Sequence, residues 1–357
     1  MHVVLAAGGT VGHIEPALST AEALLRIDPE TAITFVGSDR GLESTMVPAR
    51  GFELVMVPAV PMPRRPGPDL VRLGPRLRSA VRQATDVLRT RSTDVVVGFG
   101  GYAAVPAYLA ARRTRTPLVV HEANARPGIA NRLAARFTPH LYASYPAAFR
   151  GARMLAPPLR HSIASLDRRA HRAEGRDHFG LDPNLPVLLV FGGSQGALRL
   201  NSVLAGSLDA LHAAGVQVLH SYGSRNDALA ARAGYVALPF IDSMDLAYAA
   251  ADLAVTRAGA MTCAELSAVG LPAIYVPLPI GNGEQRMNAQ PVVSAGGGVL
   301  VDDGLISSEW LTETVIEVLH DDERLRQMSA AAAAHGVRDA DEQLARIVLD
   351  VGRRGRR

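Results

Sequence analysis

The segment VVLAAGGTVGH, residues 3–13, decides the fold class of this 357-residue chain. A run of apolar residues predicts a buried strand, Gly8 and Gly9 predict a tight turn, and the residues that follow predict a helix start. A second segment of this form, VLLVFGGSQGA, spans residues 187–197, so that Gly8 and Gly192 lie 184 positions apart. Such a turn directs backbone N–H groups and a helix dipole at an anion or a sugar. One turn in each half predicts two similar nucleotide-type domains.

Short apolar runs alternate with helical segments throughout the chain. In the first half the predicted strands are HVVLA, AITFVG, ELVMV, DVVVGF, PLVVHE and HLYAS, and in the second half they are PVLLVF, VQVLHS, YVALPF, DLAVT, PAIYVP and GGVLV. The predicted helices include 15–26, 103–113, 128–136, 198–214, 261–269, 286–295, 308–320 and 339–351. Because alternating strands and helices connect through right-handed crossovers, the chain is predicted to be α/β, with two doubly wound parallel sheets.

The domain boundary is predicted at Pro157 and Pro158, where the alternation stops and a polar, arginine-rich stretch runs to about Pro186. We interpret that stretch as the linker and the start of the second domain. The predicted domains are therefore residues 1–157 and 158–338. The last segment, residues 339–357, is expected to form a helix that packs back on the first domain.

Composition excludes several classes of chemistry. All 37 basic side chains are arginine, so no lysine is present for a Schiff base, a general base or a P-loop. The single cysteine, Cys263, excludes an internal disulfide and a cysteine-clustered zinc site. The D-x-D sequence at 339–341 opens a predicted helix instead of following a strand, so no catalytic metal and no cofactor are expected. With no signal sequence and no apolar run near about 18 residues, the chain is expected to remain in the cytosol.

Positive charge is concentrated in residues 64–91, which hold eight arginines against Asp69 and Asp86, whereas the whole chain has a net charge of +3. A basic segment on an acidic body indicates a localised anionic surface. Aromatic residues make up 5% of the chain and none lies between those arginines, so we expect no nucleic-acid partner.

A helix beginning at Pro75 is predicted within this basic segment. Its apolar residues Leu77, Val81, Ala84 and Leu88 follow at spacings of 4, 3 and 4, which places them on one face, expected to lie against the domain. That leaves apolar and basic residues just before the helix as candidates to touch acyl chains at an anionic membrane surface: Leu70, Val71 and Leu73 beside Arg64, Arg65 and Arg72.

Six motifs in collinear order carry a resemblance to a known family. They are GGTVGHIEPAL (8–18), GFGGYAAVP (98–106), HEANARPGIANR (121–132), GGSQGA (192–197), RAGAMTCAE (257–265) and EQRMNA (284–289). Together they resemble the MurG family, GT-B N-acetylglucosaminyltransferases that convert lipid I to lipid II in peptidoglycan synthesis. The resemblance implies two Rossmann-like domains facing across a cleft. It also implies UDP-N-acetylglucosamine as donor, undecaprenyl-diphosphate-linked MurNAc-pentapeptide (lipid I) as acceptor, and peripheral attachment to the cytoplasmic face of the membrane.

The residue types suit this chemistry. A helix that starts after the strand DLAVT can offer free N–H groups to a diphosphate, and Glu265 on that helix can accept hydrogen bonds from the ribose hydroxyls. Ser194 and Arg160 can contact phosphate. The resemblance implies uracil contact at Ile241 through a backbone group, and sugar contacts at Gln285 and Asn124. The full donor-binding set is Thr10, Val11, Gly12, Asn124, Arg160, Ser194, Ile241, Ala260, Met261, Thr262, Cys263, Ala264, Glu265 and Gln285.

His13 is the predicted general base, since it lies at the first glycine turn and neutral imidazole accepts a proton near pH 7. Glu122 is predicted to orient His13 or the acceptor, with a structural carboxylate that caps the helix at Gly128 as the alternative. By resemblance, Gly100, Gly101 and Tyr102 bind the acceptor diphosphate. Val11 stands where the family usually has glycine, so the turn must use ordinary backbone angles there.

Three other functions remain open at this point. The first is a paralogous transferase with the same donor and another acceptor. The second is a UDP-N-acetylglucosamine 2-epimerase, which shares the architecture but leaves GFGGY and the basic segment unexplained. The third is a module that only binds nucleic acid or membrane, which leaves the six motifs without a purpose. The leading hypothesis is an inverting transfer that forms a β-1,4 link.

Overall fold

The computed structural model describes residues 1–38, 41–58, 60, 68–146, 148–193, 197–279 and 282–355, with side chains described for all of these except 68–73. The chain divides into two compact units. Unit 1 comprises Met1–Arg160 and Asp339–Arg357, and unit 2 comprises His161–Arg338. This division lies three residues beyond the expected boundary at 157/158, so Arg160 is in unit 1.

In its described residues, unit 1 contains one parallel sheet of seven strands in the order β3-β2-β1-β4-β5-β6-β7. Its strands are β1 (His2–Ala7), β2 (Ala32–Gly37), β3 (Glu53–Met56), β4 (Val95–Gly100), β5 (Leu118–Glu122), β6 (His140–Ala143) and β7 (Arg153–Met154). The first six confirm the predicted strands. The seventh, β7, was missed because two residues are too few to show a periodic pattern.

The helices of unit 1, numbered along the whole chain, are α1 (Val11–Ile27), α2 (Glu43–Ala49), α3 (Pro68–Thr90), α4 (Ala104–Thr114), α5 (Ile129–Ala134) and α14 (Ala340–Gly355). The C-terminal helix α14 packs against α1, and Arg26 forms an ion pair with Asp341 at 2.5 Å. The predicted start of α3 at Pro75 is wrong. The helix begins at Pro68, which supplies the same start signal earlier, and Pro75 lies inside it.

The part of unit 2 that the structure describes repeats the same arrangement, with six parallel strands in the order β10-β9-β8-β11-β12-β13. The strands are β8 (Val187–Phe191), β9 (Gln217–Ser221), β10 (Tyr235–Leu238), β11 (Leu253–Thr256), β12 (Ala273–Tyr275) and β13 (Gly298–Leu300), and they confirm all six predictions. In each unit the strand order therefore reverses once, between β1 and β4 and between β8 and β11. Ligands of doubly wound sheets bind at the carboxyl ends of the strands at this reversal.

The helices of unit 2 are α6 (His161–Ala164), α7 (Arg172–His178), α8 (Leu198–Ala213), α9 (Met244–Ala250), α10 (Ala260–Val269), α11 (Glu284–Ser294), α12 (Ser308–Leu319) and α13 (Asp322–Ala334). Four of them, α6, α7, α9 and α13, were not among the predicted helices. The arginine-rich stretch interpreted as a linker contains α6 and α7, and Arg176 on α7 is buried in an ion pair with Asp252 at 2.8 Å. The sequence does contain an N-cap residue for α13, namely Asp321. In the structure its side chain accepts a hydrogen bond from the Arg324 N–H at 2.9 Å.

The two units each bury both faces of their sheet. In unit 1, Val3, Leu5 and Val97 face a core shared with α1 and α14, whereas Val4, Ala6 and Val96 face a second core shared with α3, α4 and α5. Unit 2 shows the same alternation across β8. Burial on both faces explains why these strands are continuous apolar runs.

Candidate functional site

The first glycine turn joins β1 to α1 at the reversal point of the unit 1 sheet. Gly9 has a φ of +90°, which a glycine adopts without steric cost, and the helix starts at Val11. Among the described residues, the non-glycine residues with positive φ are Ser92 and Arg115, so Val11 has ordinary backbone angles as expected. Thr10 and Gly12 are exposed beside it. The first turn of α1 therefore presents its backbone at the carboxyl edge of the sheet.

Glu43 supports this turn, and sequence reasoning did not single it out. Its carboxylate is 1% exposed and accepts hydrogen bonds from the Gly9 N–H at 2.9 Å, the Ser38 N–H at 3.0 Å and the Ser38 hydroxyl at 2.9 Å. A Cβ at Gly8 would lie 2.6 Å from the Glu43 Oε1 atom. The same Cβ would lie 2.7 Å from the Cβ atom of Ala103, so the packing around Gly8 leaves little space for a side chain.

His13 lies one turn into this helix with its ring half-buried. Its Nδ1 atom is hydrogen-bonded to the Thr10 hydroxyl at 3.1 Å. Burial lowers the pKa of His13 below its usual 6.5, while the Glu122 and Glu43 carboxylates act in the opposite direction. The imidazole is therefore neutral at pH 7, which is the form that accepts a proton.

The second glycine turn follows β4 and packs directly on the first. Gly100 and Gly101 have φ values of +94° and +83°. A Cβ at Gly101 would overlap the carbonyl oxygen of Gly8, and a Cβ at Gly100 would lie 3.4 Å from the His13 Nε2 atom. Tyr102 follows them and is 45% exposed. The structure thus brings together the predicted base and the predicted acceptor-binding residues.

A buried hydrogen-bond chain runs from the second turn to the end of β5. The Gly100 N–H donates to the Tyr108 hydroxyl at 3.0 Å, and that hydroxyl donates to the Asn131 Oδ1 atom at 2.8 Å. Asn131 then donates to the Glu122 Oε2 atom at 3.0 Å and to the His121 carbonyl at 3.2 Å. Tyr108 and Asn131 were not predicted as site residues. The signal for Asn131 was its place in the HEANARPGIANR motif.

Glu122 is almost fully enclosed by donors. It is 2% exposed and accepts from the Asn124 N–H at 3.0 Å, the Asn124 amide at 3.2 Å, the Gly128 N–H at 3.1 Å and Asn131. The Gly128 contact is the helix-capping alternative considered for this residue. Glu122 fixes Asn124 in the loop after β5, and a catalytic role for it stays a prediction.

Arg160, the last residue of unit 1 before the chain crosses to unit 2, has a carboxylate close by. Its Nε atom lies 3.8 Å from the Glu15 Oε2 atom, and Arg50 lies 3.6 Å from the same oxygen. Glu15 is on α1, two residues after His13, and is 7% exposed. The Arg160 guanidinium, which was predicted to contact phosphate, therefore lies beside the first turn of α1.

The corresponding edge of unit 2 carries the start of α10. Ala260, Met261 and Thr262 form its first turn, Gly259 precedes it, and within the described residues no side chain caps this end. No acidic residue lies in the turn, so the positive end of the helix dipole is not neutralised locally. Backbone N–H groups and a dipole of this kind bind phosphate.

The loop before α10 is held by two residues that the sequence analysis did not identify. The Arg257 guanidinium donates to the carbonyls of Val276 at 3.2 Å and Pro277 at 3.4 Å, and it pairs with Asp303 at 2.5 Å. The Asn288 amide donates to the Ala258 carbonyl at 3.2 Å. The loop before α10 is consequently fixed to the segment after β12 and to α11.

Glu265 lies further along α10, is 8% exposed and accepts a hydrogen bond from the buried Tyr248 hydroxyl at 2.7 Å. Ala264 beside it is half-buried. Two predicted donor residues have side chains in the unit 2 core instead of at the surface, namely Cys263 and Ile241. Burial raises the pKa of the Cys263 thiol, so it is not a nucleophile at neutral pH. Only backbone groups at these two positions are available to a ligand.

Gln285 is the second residue of α11, and its Oε1 atom accepts from the Leu278 N–H at 2.9 Å. Glu284 makes a local contact, because its carboxylate accepts from the Asn282 N–H at 3.2 Å.

Some predicted residues lie outside the described part of the chain. They include Ser194, in the GGSQGA motif of unit 2, and also Arg64 and Arg65. The side chains of Leu70, Val71, Arg72 and Leu73 also lie outside that part.

Two features are absent from the described residues. No group of three or more His, Cys, Asp or Glu side chains in this part of the chain is arranged to hold a metal ion. Likewise, no helix within these residues has the length and apolar character needed to cross a bilayer.

Two family models match the chain. Residues 3–142 match the glycosyltransferase family 28 N-terminal domain, and residues 187–344 match the glycosyltransferase family 28 C-terminal domain. The chain belongs to glycosyltransferase family 28. It is accordingly a glycosyltransferase, and the expectation of two Rossmann-like units is confirmed.

Individual family 28 proteins are similar over nearly the whole length. The enzyme named UDP-N-acetylglucosamine–N-acetylmuramyl-(pentapeptide) pyrophosphoryl-undecaprenol N-acetylglucosamine transferase is 55% identical in Streptomyces avermitilis, covering 98% of both chains. The Acidothermus cellulolyticus protein of the same name is 56% identical and covers 98% of this chain and 97% of its own. The crystal structure of Acinetobacter baumannii MurG matches with a TM-score of 0.77 at 26% identity, over 98% of this chain and 99% of that one. The resemblance to the MurG family is thereby confirmed.

Proposed function

We propose that this family 28 protein transfers N-acetylglucosamine from UDP-N-acetylglucosamine to lipid I, the undecaprenyl-diphosphate-linked MurNAc-pentapeptide, and so forms lipid II. The observation that carries this proposal is the 55% identity, over 98% of the chain, to a transferase with that printed name. The site geometry supports it, because each unit presents a helix start at the reversal point of its sheet. Two such edges suit a reaction between two diphosphate-linked substrates.

Unit 2 is the donor-binding half in this proposal. The first turn of α10, Ala260 to Thr262, binds the diphosphate through its N–H groups, and Glu265 accepts hydrogen bonds from the ribose hydroxyls. The fixed loop before α10 supports this role, since Arg257 and Asn288 hold the backbone that carries the turn. Preformed donors stabilise the charge that develops on the departing UDP.

Unit 1 supplies the base and binds the acceptor. The oxygen of the MurNAc C4 hydroxyl attacks C1 of N-acetylglucosamine, the bond between C1 and the UDP oxygen breaks, and His13 accepts the hydroxyl proton. A single displacement inverts C1 and gives the β-1,4 link. The neutral state of His13 supports this assignment, and a positioned base contributes about 10²–10⁴-fold to the rate. Gly100, Gly101 and Tyr102 next to His13 bind the lipid diphosphate.

The test combines purified protein, radiolabelled UDP-N-acetylglucosamine and a short-chain lipid I analogue, and measures the lipid-linked disaccharide. We expect disaccharide and UDP in equal amounts, and no change in the donor when the acceptor is left out. Conversion of the donor to its C2 epimer without acceptor would identify a 2-epimerase instead. Transfer to another acceptor but not to the lipid I analogue would identify a paralogous transferase.

The membrane surface is bound by α3 in this proposal, on the cytoplasmic face. The helix buries Ala80, Ala84 and Leu88 against unit 1, while Arg78 and Arg82 are exposed on its other side. Each arginine near an anionic surface contributes about 1 kcal/mol. This contribution needs no helix that spans the bilayer.

Vesicle binding tests the role of α3. The double variant Arg78→Gln and Arg82→Gln is expected to bind vesicles of anionic lipid about 30-fold more weakly, which corresponds to about 2 kcal/mol. The matched control replaces the exposed Arg169 and Arg225 of unit 2 by glutamine. Equal losses in both variants would mean that net charge, and not α3, determines binding.

A further inference from the structure

Tyr248 is a buried residue of α9 whose only polar group meets the carboxylate of α10. Its side chain is 0% exposed, and its hydroxyl donates to the Glu265 Oε2 atom at 2.7 Å. Its ring lies near that of Phe191, with centroids 6.2 Å apart. A phenol in this position loses its contact with water on folding, so the bond to the carboxylate compensates for that loss.

The helices that carry the two residues are tied together at their carboxyl ends. The Arg168 guanidinium donates to the carbonyl of Tyr248 at 2.9 Å, to that of Ala251 at 2.6 Å and to that of Gly270 at 2.6 Å. Ala251 and Gly270 follow α9 and α10 respectively. One arginine thus fixes α9 relative to α10, and with it the separation of the Tyr248 hydroxyl from Glu265.

We infer that Tyr248 is a positioning residue for ribose recognition. A glutamate side chain has three rotatable bonds, and binding two vicinal hydroxyls requires one orientation of its carboxylate. The Tyr248 hydroxyl holds that orientation and stabilises the ionised carboxylate before the nucleotide arrives, since a hydrogen bond to a charged acceptor is stronger than a neutral one. Tyr248 itself does not touch the nucleotide. This inference rests on the proposed function, in which Glu265 binds the ribose of UDP.

The test uses Tyr248→Phe, which removes the hydroxyl and keeps the ring. Calorimetry measures binding of UDP and of 2′,3′-dideoxy-UDP, which lacks both ribose hydroxyls. We expect Tyr248→Phe to bind UDP about tenfold more weakly, and to bind the dideoxy compound as the unmodified protein does, because Glu265 has no hydroxyl to hold there. In the transfer assay the KM for the donor should rise by the same factor, with kcat within about twofold.

Two further variants separate positioning from general stability. Tyr275→Phe removes the hydroxyl of another buried tyrosine in the same core, and it should leave both affinities unchanged. In a Glu265→Ala background, Tyr248→Phe should cause no additional loss, because its effect acts through Glu265. Far-UV circular dichroism verifies that each variant is folded.

The outcomes are distinct. An equal loss of UDP and dideoxy-UDP affinity in Tyr248→Phe, or no loss of either, would overturn the positioning role while leaving the proposed function intact. If the unmodified protein itself binds no UDP, the proposed function fails and the inference fails with it.

Discussion

The Gly9 N–H donates a hydrogen bond to the Glu43 carboxylate at 2.9 Å, although the two residues are 34 positions apart in the chain. This bond ties the turn after β1 to the start of α2. The same carboxylate also holds Ser38, directly after β2. The loops that follow two adjacent strands are thus fixed by one buried group, and the first of these loops leads into the helix that carries His13.

Glu43→Gln is predicted to destabilise unit 1. The amide has one oxygen and one NH₂ group, so its NH₂ group must face either Gly9 or Ser38, both of which offer N–H donors. Hydrogen bonds to charged groups contribute about 1.5–3 kcal/mol, and we expect a loss of about 2 kcal/mol in the free energy of unfolding, measured in urea. Glu30→Gln, at an exposed position, is the control and should change little. Equal stabilities of the two variants would show that Glu43 does not hold the turn.

Gly101→Ala is predicted to separate the two glycine turns. The residue has a φ of +83°, and its Cβ would overlap the carbonyl oxygen of Gly8, which is backbone and cannot rotate away. Strain and overlap together should cost about 3 kcal/mol or more of stability, and the rate of transfer should fall with it. The control is Gly74→Ala inside α3, where an added Cβ meets no atom of the described side chains or backbone within 4 Å and helix propensity improves. A Gly101→Ala protein with normal stability and rate would contradict the close packing of the turns.

The sequence was sufficient for every described strand except β7, and for the edges where the site lies. Strands buried on both faces appear as short apolar runs, and the glycines after β1, β4 and β8 mark the points where backbone must approach closely. His13 was predicted as the base from its place at the first glycine turn, and Gly100 as an acceptor-binding residue from the resemblance alone. The structure brings them together, with a Cβ at Gly100 placed 3.4 Å from the His13 Nε2 atom.

The residues that support the site were not predictable in the same way. Glu43, Tyr108 and Tyr248 act through partners on other elements, and local patterns contain no information about which distant group a buried polar side chain meets. Each lies in a helix, within a stretch of sequence that has no feature pointing to a site. Arg168 appeared to belong to a polar linker, since its three carbonyl partners come together only after α9 and α10 have packed.

His121 is predicted to make stability depend on pH. Its Nε2 atom is hydrogen-bonded to the carbonyls of Leu155 and Ala156, both at 3.1 Å, and burial lowers its pKa from 6.5 to about 4. The unfolded chain therefore takes up a proton near pH 6.5, whereas the folded chain does so only near pH 4. The contribution of His121 to the free energy of unfolding is fully present above pH 6.5. It is lost as the pH falls towards 4, by roughly 3 kcal/mol.

His121→Gln tests this effect, because glutamine can still donate to the carbonyls of Leu155 and Ala156 but does not titrate. Urea unfolding at pH 7 and at pH 4.5 should show a smaller difference in this variant than in the unmodified protein, by roughly 2–3 kcal/mol. The exposed residue His335 gives the control variant His335→Gln, whose pH dependence should match that of the unmodified protein. An unaltered pH dependence in His121→Gln would assign the acid sensitivity to other groups.

The pH dependence of transfer is predicted to report His13. Burial lowers the pKa of His13 below 6.5, so the ring is neutral and able to accept a proton at pH 7, and kcat/KM should fall only on the acid side of 6.5. The Glu122 and Glu43 carboxylates raise this pKa against the effect of burial. Removing the Glu122 charge with Glu122→Gln should therefore shift the acid limb to still lower pH.

His13→Gln removes the titrating group and should lower kcat by about 10²–10⁴-fold. The acid limb of kcat/KM should then no longer follow the titration of a single group near or below pH 6.5. Binding of UDP to unit 2 should be unchanged, because the affinity depends on α10 and Glu265. The control His335→Gln should keep both the rate and the limb. If His13→Gln retains the limb and loses little rate, the acceptor proton goes to another group, and His13 then serves only to shape the turn beside Gly100.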